Sequence, residues 1–253
     1  MPSRVPFSAV IITLDAATAL AACLQSVAFA DEVLVVDCGS TDATLALARQ
    51  SGARVLHQDW LGYGAQKQFA ISQAKNDWVL CLDADERVSM PLRDAIEAAL
   101  IAPQAHGFEM PRCNRFMGRW LRHGEGYPDW SLRLFRRSHG RWSDDAVHEK
   151  VILDGMPARL HGDLLHESAE TLALYLDKQD RYTTLQAQAM RRRGQRASIA
   201  QMLMSPVLRF IKFYLLRLGF LDGVAGLTHI LIGCRNSYTK YAKLRGYEKE
   251  AKS

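Results

Sequence analysis

Four short apolar runs, alternating with stretches of helical spacing, constrain the fold of this chain more than any other feature. The runs are Ser8-Ala9-Val10-Ile11-Ile12-Thr13, Val33-Leu34-Val35-Val36, Arg54-Val55-Leu56 and Trp78-Val79-Leu80-Cys81-Leu82. Each is short and mostly β-branched or apolar, the pattern of a strand buried on both faces. Between the first two, residues 16–28 place Leu20, Leu24 and Val27 on one helical face, and residues 64–75 also read as a helix. Strands alternating with helices predict a parallel sheet with right-handed crossovers. Asp37 and Asp83 then end strands on the same sheet edge, where open α/β sheets bind their ligands. After Asp37, Gly39 allows a tight turn and Thr41 or Asp42 can cap the next helix. No Gly-x-Gly-x-x-Gly follows the first strand and there is no Walker lysine loop, which disfavours a dinucleotide fold and a phosphate-loop NTPase.

Asp83-Ala84-Asp85 follows the fourth run. Two carboxylates spaced i and i+2 at a strand end can share one hard divalent cation, directly or through water. Mg²⁺ and Mn²⁺ both suit carboxylate and phosphate ligands, and such a cation neutralises phosphate oxygens. With 253 residues and 48% hydrophobic content, the chain can build one large domain, or one domain plus an appendage. The cysteines at 23, 38, 81, 113 and 234 show neither C-x-x-C pairing nor metal spacing, and are expected to be reduced core thiols of a cytoplasmic protein. The N-terminal residues run straight into the first strand without a signal-peptide pattern.

Charge is unevenly spread. Residues 191–253 hold 13 Lys or Arg and 3 Asp or Glu, whereas residues 1–190 hold 19 and 24. From Ser168 onward the spacing predicts helices at 170–193, 198–217 and roughly 224–245. The stretch Pro206 to Leu221 is apolar nearly all round, with Arg209, Lys212 and Arg217 as long cations able to snorkel. This suits an interfacial membrane helix better than a nucleic-acid groove, so a membrane surface is expected as a partner and nucleic acid is not. Packing against the catalytic domain or a second subunit is the other reading. Residues 213–234 are long enough to span a bilayer, but Arg217, Asp222, Gly223, Gly226 and His229 argue against it. Oligomeric state is not legible.

The stretches Val10-Ile11-Ile12-Thr13-Leu14, Val35-Val36-Asp37-Cys38-Gly39-Ser40-Thr41-Asp42, Gly64-Ala65-Gln66-Lys67 and Leu82-Asp83-Ala84-Asp85-Glu86 resemble, in order and spacing, the family 2 glycosyltransferases. A narrower likeness is to the lipopolysaccharide core β-glucosyltransferases that add glucose to inner-core heptose. It rests on Gly62 to Gln68, Leu132 to Arg137, Val147-His148-Glu149-Lys150 and Gly219 to Gly223. The resemblance implies a GT-A type α/β fold: one nucleotide-binding catalytic domain with a mainly parallel sheet at 1–165, and a basic, helical, membrane-proximal extension at 166–253. It implies a UDP-sugar donor, with Thr13 and Leu14 lining the nucleotide pocket and Asp37 accepting from the uracil. Gly39 and Ser40 would approach through backbone, and Lys67 would meet the diphosphate. Asp15 departs from the family pattern, since Thr-Leu-Asp-Ala stands where Thr-Leu-Asn-Glu is usual, which puts its contact with ribose or base in doubt.

On the same resemblance Asp83, with Ala84, faces ribose or metal-bound water, and Asp85 binds the metal. Glu149 occupies the region of the catalytic base; Asp129 is its rival, with Asp144 or Asp145 behind them. His148 would be a third metal ligand or a partner for the base. Arg133 and Arg136, expected to alternate on one strand face, would hold donor diphosphate or acceptor phosphate. Arg112 opens a cationic and aromatic loop, through Trp120, suited to an anionic or sugar acceptor. The implied activity is metal-dependent, inverting transfer of glucose from UDP to the lipopolysaccharide inner core or a related lipid-linked glycan, at the inner face of the cytoplasmic membrane. A polyprenyl-phosphate acceptor and a catalytically silent scaffold that binds nucleotide sugar are the alternatives.

Overall fold

The structure, a computed structural model, describes residues 4–144, 149–168 and 171–250. The first half runs β1 (Phe7–Thr13), α1 (Ala17–Ser26), β2 (Glu32–Asp37), α2 (Thr44–Gln50), β3 (Arg54–His57), α3 (Tyr63–Ser72), β4 (Trp78–Asp83), β5 (Glu86–Val88) and α4 (Met90–Ile101). It continues through β6 (Gly107–Phe116), β7 (Arg119–Trp120), β8 (Asp129–Arg136), β9 (Gly140–Trp142), β10 (Val151–Leu153), β11 (Ala158–Arg159) and β12 (Leu164–His166). The helices α5 (Leu172–Arg192), α6 (Ile199–Phe210) and α7 (Gly223–Glu250) complete it, with a π-helical turn at Ile211–Leu216 and a 3₁₀ turn at Gly219–Asp222.

The main sheet has the order β3-β2-β1-β4-β8-β6-β12-β5. Its first four strands are parallel, as the alternation of strand and helix requires, and β8 and β6 continue it antiparallel. Every residue of β1 is buried, which is why this strand reads as an unbroken apolar run. One face packs Phe7, Ile11, Leu80 and Leu134 against Leu20, Leu24, Leu92 and Ile96 of α1 and α4. The other packs Val10, Val36, Val79 and Phe135 against Ala70 and Ile71 of α3. Ser89 caps α4 by accepting from Leu92 N, and Pro91 stands in its first turn, where no N–H is needed. The cap expected before α2 differs in detail. Ala43 holds the cap position without a side-chain bond, and Asp42 instead accepts from Thr44 N at 2.9 Å and Ala17 N at 3.1 Å, joining α2 to α1.

Contacts divide the chain into two units. The first comprises residues up to 113 together with 129–167. The second comprises 114–128 and the residues from 168 onward. In the second, the hairpin 114–128 is tied to residues far along the chain. The buried Asp222 carboxylate accepts from Arg122 N at 2.9 Å and His123 N at 2.8 Å, and pairs with His123 Nδ1 at 3.0 Å. Glu125 is ion-paired with Arg209, whose Nη1 also donates to Ser237 Oγ at 3.1 Å. Gly124 N donates to the Arg217 carbonyl at 2.8 Å. Gly219 is required here, because a Cβ on it would lie 2.6 Å from the Phe213 carbonyl oxygen. Among the described residues, Ile199–Leu216 is the one helical segment long and apolar enough to cross a membrane by length and composition, and none of that window is buried.

Candidate active site

Register places the site. Thr13 pairs with Asp37 across β1 and β2, and Ile12 pairs with Asp83 across β1 and β4, so Thr13, Asp37 and Asp83 end adjacent parallel strands. At this edge the 39–42 loop is built by two carboxylates. Asp37, buried, accepts from Gly39 N and Ser40 N at 2.9 Å each and from the Ser40 hydroxyl. Asp15, at φ 45°, accepts from Thr41 N at 2.8 Å, while its own N–H donates to Ser40 Oγ at 2.8 Å. Gly39, at φ 112°, supplies the left-handed turn between them. Leu14 is exposed on the rim, and Thr13 Oγ1 is buried with no hydrogen-bond partner among the described residues.

Asp83 sits between two buried cations. Lys67 Nζ lies 3.1 Å from its Oδ1, and Arg133 Nη2 lies 3.2 Å from its Oδ2. Burial opposes ionisation of Asp83, but the charges of Arg133 and Lys67 outweigh it and hold the carboxyl well below the usual carboxylate range. Lys67 projects from α3 over the Trp142 ring, 4.8 Å from its centroid, and also meets Glu149 Oε1 at 3.0 Å. It therefore joins the Asp83 strand end to the Glu149 segment. Arg133 donates to Glu86 Oε1 at 2.7 Å, and Glu86, 0% exposed, accepts from Asp83 N at 3.0 Å through its other oxygen. The paired acids raise the Arg133 pKa against the opposing effect of burial. Arg133 Nη1 is buried without a hydrogen-bond partner among the described residues. Arg112 reaches Asp129 through Nη2 at 2.9 Å and Glu86 at 3.6 Å.

Asp85 stands apart from these cations. Its Oδ2 lies 3.3 Å from His166 Nε2, and its carboxylate is one-third exposed. The antiparallel pairing of β12 with β5, His166 opposite Glu86, brings that imidazole to the strand end. A hard carboxylate oxygen beside an imidazole nitrogen fits Mn²⁺ or Mg²⁺, with the remaining positions left to phosphate and water. Among the described residues no group of three His, Cys, Asp or Glu converges. Two thiols below the site stay protonated. Burial pushes Cys81 up to about 12, and burial together with Glu86, Asp85 and Asp83 pushes Cys23 up further.

Of the residues expected at the site, Asp83, Ala84, Asp85, Lys67, Arg133, Glu149, Arg112 and Asp129 lie around the ends of β4 and β8, and Thr13, Asp15, Asp37, Gly39 and Ser40 form the neighbouring loops. His148 and Asp145 lie outside the described residues. Arg136 does not join them. Three residues from Arg133 is an odd step along a strand, so the two project to opposite faces. Arg136 pairs with Trp78 at the start of β4 and lies over its ring at 5.3 Å. Glu86 and His166 were not singled out in the sequence; Glu86 directly follows Asp83-Ala84-Asp85, whereas His166 has no local signal.

Gly64, in the first turn of α3, fixes how closely the Glu149 segment approaches. A Cβ there would lie 2.3 Å from the Ser143 carbonyl oxygen and 3.5 Å from Glu149 Cβ. Gly64→Ala is expected to lower stability by about 1–3 kcal/mol in urea unfolding. It should also slow transfer, because Ser143 and with it Glu149 must move away from α3.

With this geometry in place, comparison with known proteins gives a consistent result. Residues 8–141 match the family described as glycosyl transferase family 2. The lipopolysaccharide core biosynthesis glycosyltransferase LpsC of Rhizobium meliloti is 29% identical over 99% of this chain and 95% of its own. An uncharacterized glycosyltransferase of Rickettsia conorii is 30% identical over 94% of this chain and 89% of its own. Among solved structures, glucosyl-3-phosphoglycerate synthase of Mycobacterium tuberculosis, in complex with Mn²⁺, UDP-glucose and phosphoglyceric acid, is 24% identical over 44% of each chain, with a TM-score of 0.37. The family match spans more than half of the chain and the relatives span nearly all of it: this protein is a glycosyltransferase and belongs to glycosyl transferase family 2.

Proposed function

We propose that the protein transfers a sugar, glucose, from UDP to a lipid-linked glycan of the lipopolysaccharide inner core, with inversion at the anomeric carbon. The observation that carries this reading is the meeting of Asp83, Lys67 and Glu149 at one sheet edge, beside Asp85. The lipopolysaccharide-core assignment of the Rhizobium meliloti relative supports the acceptor class. The 13–15 and 37–40 loops would receive the nucleoside, their backbone conformation set by Asp15 and Asp37. Asp85 and His166 would hold the divalent cation, with Asp83 turned toward ribose and its charge maintained by Lys67 and Arg133. The cation would supply Lewis-acid stabilisation of the departing diphosphate.

Glu149 would take the proton from the acceptor hydroxyl. Lys67 keeps it beside the donor edge, and Trp142 under Lys67 limits water there. Asp129 is the rival: Arg112 holds its Oδ2 through both Nε and Nη2, whereas Lys67 meets Glu149 through one nitrogen. The catalytic unit would extend from the expected boundary at 165 through His166, with the membrane-proximal region after it, peripheral on the inner face of the cytoplasmic membrane.

The test is UDP release from a panel of UDP-sugars, with and without Mn²⁺ or Mg²⁺, using heptose-containing inner-core lipid as acceptor. Acceptor-stimulated, metal-dependent release from UDP-glucose is expected, and Glu149→Gln should lower kcat by about 10²–10⁴-fold while leaving donor binding in place. Release that the acceptor does not stimulate would discard the acceptor assignment. Full turnover by the Glu149 variant would discard the base.

A further inference from the structure

The second unit carries an exposed apolar surface around the end of the 206–221 stretch. Leu216 and Val224 are each 75% exposed, and Leu218, Phe220 and Leu221 between them are also exposed. Arg119 Nη2 donates to the Leu221 carbonyl at 2.9 Å, which sets the tip of the 114–128 hairpin, with exposed Met117, beside this turn. Leu218 at φ 54° and Met117 at φ 48° both occupy the left-handed region, which bulky side chains rarely adopt. Two strained positions thus each present an apolar side chain to the outside on the same patch.

The charge around the patch identifies what covers it. Lys212, Arg217 and Arg119 are exposed at its border, and Lys212 Nζ and Arg217 Cζ lie 5.1 and 5.8 Å from the Phe213 ring centroid, so two of the charged ends rest against an aromatic ring beside the patch. The nearby acid, Asp222, is turned inward to the hairpin amides and is 2% exposed. Residues 191–253 carry 13 Lys or Arg against 3 Asp or Glu. An apolar centre with a cationic border complements an anionic lipid surface, whereas a second copy would bring two such borders together. A spanning arrangement of Ile199–Leu216 is opposed by Arg209, which lies inside that segment and is bonded to Glu125 and Ser237.

We propose that residues 216–224 and the Met117 hairpin tip are together the surface by which this protein docks, without spanning, on an anionic bilayer. The inference rests on the reading of a lipid-linked acceptor but is tested without any substrate. The full chain is floated with vesicles of phosphatidylcholine, with or without phosphatidylglycerol. Binding is expected only with phosphatidylglycerol and should weaken as salt rises. Leu216→Ser combined with Val224→Ser should reduce the bound fraction at least about tenfold. Met156→Ser, at an exposed apolar position in the first unit, should leave binding unchanged. An unchanged melting temperature and an unchanged rate on a deacylated, water-soluble acceptor would show that the double variant is folded.

Equal binding of the double variant and the wild type would overturn the proposal. So would equal binding of the wild type to neutral vesicles, or a lipid-free dimer that the double variant dissolves. Patch-dependent vesicle binding without transfer to any lipid-linked acceptor would reject the acceptor reading and leave the docking surface standing. Transfer to such an acceptor with patch-independent binding would do the reverse.

Discussion

Asp85→Ala is expected to reduce glycosyl transfer by on the order of a thousandfold, the effect of losing about 4 kcal/mol of transition-state stabilisation. The side chain is one-third exposed and its observed contact is with His166 at 3.3 Å. Its backbone carbonyl accepts from Glu167 N at 3.0 Å, a bond that the substitution keeps. Stability should therefore change by no more than about 1 kcal/mol. The measurement pairs UDP release at saturating acceptor with a urea titration of the same preparation. Full turnover by the variant with metal present would remove Asp85 from the metal site. A large loss of stability would show that Asp85 has a structural role the contacts do not reveal. His166→Ala should move in the same direction and demand more metal for half-maximal rate.

Arg133→Met should act in the opposite way, on stability first. It leaves Glu86, fully buried, without the guanidinium 2.7 Å away, and deprives Asp83 of one of its two cations. Removing one partner of a buried ion pair costs about 3–5 kcal/mol. The midpoint of denaturant unfolding should fall accordingly at neutral pH. Adding Glu86→Gln to Arg133→Met should recover part of the loss, since the stranded charge is then gone. No recovery would mean that Arg133 stabilises the fold through packing on Trp142, 5.9 Å from its ring centroid, and not through charge.

The parallel half of the sheet was legible because its signals are local. Four short apolar runs, three of them buried almost throughout, set the strands, and parallel register carried Asp37 and Asp83 to one edge. Lys67 was legible for the same reason, since its helix begins at that edge. His166 was not. It reaches Asp85 through the pairing of two three-residue strands, β5 and β12, that are far apart in sequence. Strands so short carry no periodicity of their own. Arg136 illustrates a different failure, in which two arginines close in sequence were given one face although their separation is odd. The aromatic under the site, Trp142, comes from β9, a strand that pairs with β10 in a small separate sheet.

The hairpin anchored by Asp222 also has a consequence in time. The amides of Arg122 and His123 wait for a carboxylate about a hundred residues further along the chain. At ribosomal speeds of about 5–20 residues per second, that partner emerges on the order of 5–20 seconds later. Through that interval the β6–β8 pairing can already form, while the hairpin between those strands remains solvated and without its native anchor. Nascent chains arrested just short of residue 222 should therefore hold paired β6 and β8 strands and a 114–128 hairpin whose Arg122 and His123 amides still exchange with solvent.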